Sequence, residues 1–118
     1  ASTEDRIRAV VDAIWRHCRR QPDAVRLLLR HVVENGSLPA PVNEEWSPVV
    51  LRRALQLDTA LGVPDLGRFR LELLSLNHLL GRYAIAAPET LAPHCEGEDP
   101  DAAIGRHLGD VAVLLLTR

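Results

Sequence analysis

The stretch DLGRFRLELLSLNHLLGRYAIAA, Asp65 to Ala87, decides the fold. It contains no proline, and Leu66, Phe69, Leu73, Leu76, Leu80, Tyr83 and Ala87 follow one another in steps of three and four. At about 100° per residue these positions form one stripe of an α-helix. A second row, Leu71, Leu74, His78, Gly81 and Ile85, steps the same way and lies about 150° around the helix. A helix on the surface of a monomer needs one apolar stripe. Two opposed stripes require cover on both sides, from the rest of a bundle or from a second subunit. The pattern does not choose which stripe faces which.

The remaining sequence supplies more helices of the same kind. Ser2 precedes Ile7, Val10, Val11, Ile14, Trp15 and Cys18, an amphipathic series with Asp5 three residues after the serine. Pro22 disfavours helical backbone at Gln21 and ends that segment. Asp23 to Glu34 reads as a second helix, with Val25, Leu28, Leu29 and Val32 inward and Asn35-Gly36 as its stop. After the loop SLPAPVN, Ser47-Pro48 starts a third helix that Gly62-Val63-Pro64 ends. Asp65 caps the central helix, Pro88 stops or kinks it with room for a further turn over Glu89 to Leu91, and Pro93 to Asp99 reads as a polar loop. Asp99-Pro100 then opens a last helix whose main stripe is Ile104, Leu108, Val111 and Leu115. Beside that stripe stand Ala102, Gly105, Gly109 and Ala112. Each internal glycine costs about 1 kcal/mol against alanine, so the small side implies a close-lying backbone. With no strand signal, the expectation is an all-α fold, one helical bundle of about five helices over residues 1–118.

Composition narrows the function. The chain has 118 residues, 47% hydrophobic, 25% charged and 3% aromatic, enough for one domain with a modest core. The formal net charge is -2, which offers little on which to build a nucleic-acid surface. No apolar run reaches the roughly 18 residues of a membrane span. Cys18 and Cys95 make no disulfide framework and read as reduced thiols of a cytosolic protein. His94, Cys95 and Glu96 are ligand-type residues, but adjacent loop positions rarely converge on one ion and a second ligand pair is missing. Cys18 lies among apolar neighbours, and His17 points about 100° away, so no catalytic dyad forms. Neither an enzyme nor a bound metal or cofactor is expected.

WRHCRRQPDAVRLLLRHVVENG, from Trp15, resembles the pair of helices that opens the regulatory domain of TetR-type repressors. LLSLNHLLGRYAIAAPETL, followed by EDPDAAIGRHLGDVAVLLL, is similar to the last two long helices of that domain. Nothing resembles the family's helix-turn-helix, so the likeness is to the C-terminal part alone. It implies a bacterial, cytoplasmic domain that senses a small molecule and dimerises, passing the signal to a DNA-binding part outside this chain. The parent protein would bind operator DNA, and this chain alone would not. The likeness also implies a cavity among the helices before the central one, for which Trp15, Cys18, Leu28, Leu55 and His78 are the candidate lining and an apolar or aromatic molecule the candidate effector. His78 reads equally well as a core histidine satisfied by a neighbour. The homodimer interface is expected at Leu71, Leu74, His78, Gly81 and Ile85, and at Ala102, Gly105, Gly109, Ala112 and Leu116. The alternative from another class is a helical homodimerisation or scaffold module that takes no ligand.

Overall fold

The computed structural model describes residues 2–37, 39 and 66–117, and every element named below belongs to them. Helix α1 (Thr3–Arg20) begins at Ser2, whose Oγ accepts a hydrogen bond from the Asp5 amide at 3.1 Å. That bond satisfies one of the donors a helix start leaves unpaired. The chain turns at Gln21, whose amide donates to the Cys18 carbonyl at 3.1 Å. Helix α2 (Pro22–Asn35) starts on the proline itself, one residue before the expected Asp23, because a first helical position needs no N–H. Gly36 ends it in the left-handed region, at φ 77°. The third helix expected after Ser47 lies outside the described residues, as do Trp46 and Leu55.

The central helix, α3, spans Leu66–Ala84 and stops three residues short of the expected Ala87. The chain bends through Ile85 and Ala86, and Pro88 opens a short helix α4 (Pro88–Leu91), where the proline again takes the first position. A 3-10 turn over Ala92–His94 follows, so the front of the expected polar loop is helical. Helix α5 (Pro100–Thr117) is capped by Asp99, whose Oδ2 accepts from the Ala102 amide at 3.0 Å. The regular elements among the described residues are all helical, and the all-α expectation holds for them.

Helix α5 packs against both α1 and α3 and runs antiparallel to each. At one end Ile7 and Phe69 meet Ala112 and Leu116. At the other, Trp15 and Ala84 meet Ile104 and Leu108, together with Leu91 and Cys95 from the connection. The first row of α3 faces this core, with Phe69 buried and Leu73, Leu76, Leu80 and Tyr83 half-buried. Each large apolar side chain fully buried here contributes about 1.5–3 kcal/mol. The second row divides. Gly81 and Ile85 are half-buried, with the Leu29 methyls of α2 over Gly81, whereas Leu71, Leu74 and His78 are exposed.

The small residues of α5 make room for α1 of the same chain. A β-carbon on Gly105 would stand 2.8 Å from Trp15 Cδ1, and one on Gly109 would stand 3.5 Å from Arg8 Nη1. Gly105, Gly109, Ala112 and Leu116 are buried inside the bundle, and Ala102 is exposed. The close approach that the glycines imply is therefore intramolecular. In this arrangement those four buried residues are not open to a second copy.

Candidate functional site

Among the described residues, the side chains expected to line a cavity stand in different surroundings. Trp15 is 2% exposed and fills the core between α1 and α5. Cys18 and Leu28 are half-buried on α1 and α2, His78 is exposed on α3, and Leu55 lies outside the described residues. Burial pushes the Cys18 thiol up from its ordinary value, which keeps it protonated and unreactive at neutral pH. His17 beside it is exposed. Cys95 is buried and donates through Sγ to the Leu91 carbonyl at 3.3 Å, while His94 and Glu96 are exposed. Among the described residues no group of three His, Cys, Asp or Glu side chains is placed to hold a metal ion.

Trp15 instead anchors a polar junction. Its Nε1 donates to the Asp101 carbonyl at 2.9 Å, and the Arg19 guanidinium lies 5.5 Å from the centre of its ring. Arg19 Nε donates to Asp101 Oδ1 at 2.9 Å, and its Nη1 donates to the carbonyls of Ala84 at 2.8 Å and Ala86 at 3.2 Å. Arg26 of α2 donates to the carbonyl between them, Ile85, at 3.3 Å. Three successive carbonyls at the end of α3 are thus satisfied by arginines from two other helices. A helix end needs such partners because its last carbonyls have none of their own. An open groove beside this junction is lined by Asp12, Arg16, Arg20 and Asp101 around the indole edge. Arg16 is paired with Asp12 and Arg19 with Asp101, so most of its charge is already neutralised. An apolar effector finds no enclosed apolar wall there.

A different surface has the character of a contact face. Tyr83 and His107 stand in a T-shaped pair with ring centres 6.4 Å apart, which sets the 83 side of α3 against the 107 side of α5. Leu76, Leu79 and Tyr83 share that side of α3, and His107, Val111 and Leu114 share that side of α5, by the i, i+3 or i+4, i+7 spacing. Leu79 is 39% and Leu114 68% exposed, and the other apolar members are half-buried. Leu79 and Leu114 are the accessible apolar members, beside the exposed His107, and together these residues make a partly apolar seam on the two helices.

No protein-family model, curated protein or solved structure matches the chain. The seam and the junction therefore stand on their own chemistry. Of the expected contact residues, Ala102 of α5 and Leu71, Leu74 and His78 of α3 are accessible, the last three on another side of α3 from the seam. Leu79 and Leu114 were not expected, since Leu79 belongs to neither row of α3 and Leu114 stands beside the main stripe of the last helix. Arg8 and Arg19 were also missed. Arg8 lies outside the apolar stripe of α1, yet it bonds Asp110 of α5 as well as Glu4.

Proposed function

We propose that this chain is the effector-sensing and dimerisation domain of a TetR-type bacterial transcriptional regulator, acting in the cytoplasm as a homodimer. The observation that supports dimerisation is the seam of Leu76, Leu79, Tyr83, Val111 and Leu114 along α3 and α5, which has the apolar character of an interface core. Isologous packing of two such seams about a two-fold axis would give a four-helix contact. The regulatory part of the proposal rests on the sequence resemblance. A small apolar or aromatic effector would act by binding one helix arrangement better than another, and the operator would be bound by a part of the parent protein outside this chain. No helix of the described residues is long and apolar enough to cross a membrane, in keeping with a site of action off the bilayer.

A second reading is a scaffold or dimerisation module without a ligand. The burial of Trp15 in the core and the exposure of His78 on the surface favour it. Two measurements decide. Light scattering at micromolar concentration should give a dimer for the wild type and a monomer for Leu79→Glu/Leu114→Glu; a monomeric wild type defeats both readings. A thermal-shift panel of apolar and aromatic compounds then separates sensor from scaffold. A ligand at a hundred times its Kd adds about 2.7 kcal/mol to stability, a readily measured shift. A panel without any shift leaves the scaffold.

A further inference from the structure

We infer that α2 is a hinged arm, which opens from the bundle as a unit about the Gln21–Pro22 corner while α1, α3 and α5 stay docked. Its attachment differs in kind from that of its neighbours. All 14 residues of α2 escape full burial, whereas α1 buries Ile7 and Trp15 and α5 buries a whole face. The helix is held through the half-buried Val25, Leu28, Leu29 and Val32, with Val25 against the core cluster and Leu29 over Gly81. Leu27 and Val33 on its far side are 70% and 84% exposed. Few buried apolar contacts and a solvated backbone mark the units that open first.

The polar attachment is equally lopsided. Arg26 makes one 3.3 Å bond to the Ile85 carbonyl from a side chain that is 50% exposed and already engaged by Asp23 at 3.0 Å. Arg19 reaches the same end of α3 from α1 with shorter bonds and a side chain only 13% exposed. Among the described residues, breaking the Arg26 bond therefore removes the polar tie of α2 to the end of α3 and leaves α3 tied to α1 through Arg19. The corner itself permits the motion. Gln21 stands outside the helical region at φ -132° and ψ 55°, caps α2 with no side-chain bond, and precedes a proline that has no N–H to give. Hinges are a few such positions between rigid elements. Opening uncovers Gly81, over which the Leu29 methyls lie, and frees the Ile85 carbonyl. The arm would open in a scaffold as readily as in a sensor, so its test is independent of the regulatory reading.

Hydrogen exchange read by mass spectrometry on the whole chain tests the hinge. The middle of α2, residues 25–32, should show protection about tenfold or more below that of residues 7–15 of α1 and 104–112 of α5. Arg26→Ala should lower protection in α2 severalfold further and leave those two segments unchanged. Arg19→Lys should instead lower protection in the connection after Ala84, where its carbonyl bonds lie. Equal protection in α2 and α1, or an Arg26→Ala variant that loosens all helices alike, would overturn the hinge.

Discussion

Gly105 and Trp15 fit together because one lacks what the other occupies: a β-carbon on the glycine would stand 2.8 Å from the indole Cδ1. The indole is held there by its bond to the Asp101 carbonyl at 2.9 Å, one helical turn before the glycine. It has no flexible end with which to yield. Gly105→Ala should destabilise the fold by about 1–3 kcal/mol, because overpacking outweighs the roughly 1 kcal/mol gained in helix propensity. Urea unfolding of the variant beside wild type measures the difference.

Gly109 should behave in the opposite way. The nearest atoms to its missing β-carbon, at 3.5 and 3.7 Å, belong to the Arg8 side chain, an ordinary contact. Gly109→Ala is expected to stabilise by about 1 kcal/mol. Chemical denaturation that shows Gly109→Ala as damaging as Gly105→Ala would contradict this packing.

Trp15 carries a large share of the core. Trp15→Ala should cost about 3–5 kcal/mol. Trp15→Phe keeps most of the apolar volume but loses the indole bond to the Asp101 carbonyl, at a cost of about 0.5–1.5 kcal/mol. Thermal melts of both variants should rank alanine below phenylalanine, and phenylalanine below wild type.

The Arg106–Glu98 pair, at 2.8 Å, predicts a pH response. The hydrogen bond from Arg106, with its charge, lowers the pKa of the Glu98 carboxyl. A carboxyl depressed in the folded state adds stability that is present above its unfolded value and is lost as pH falls through the folded one. Wild type should therefore lose more stability on acidification below the ordinary glutamate range than Glu98→Gln does. Both groups are exposed, so the difference should be small and should shrink in high salt. Melting curves from neutral to acid pH at low and high salt provide the comparison.

What could be read from the sequence was local. The steps of Phe69, Leu73, Leu76 and Leu80 placed those residues on one side of α3, because helical period alone fixes which residues share a face, and the rest of the bundle decided that this side turns inward. Ser2, Gly36 and Asp99 marked helix ends correctly for the same reason, since a cap acts within a few residues of itself. The small stripe of α5 announced a close neighbour but not its identity: Gly105 meets an indole far off in sequence, on α1. The end of α3 could only be bracketed by Pro88, which is visible in the sequence, whereas the arginines that hold the carbonyls of Ala84 to Ala86 are not visible as such. The candidate ligand residues were chosen by side-chain type and family likeness, and neither carries position. Trp15 went to the core and His78 to the surface.

The pairing of α1 with α5 also bears on how the chain is made. The Arg8–Asp110 and Trp15–Asp101 bonds join residues 102 and 86 apart in sequence. Contacts so remote slow folding, since the intervening loop must be closed before they form. On the ribosome, Ile7 and Trp15 emerge long before Ile104 and Leu108 exist to cover them. At the roughly 5–20 residues per second of synthesis, the indole waits several seconds with its natural partner unmade. The nascent domain thus keeps this part of its core open until α5 is translated, and Trp15 is the side chain that would mark the moment of closure.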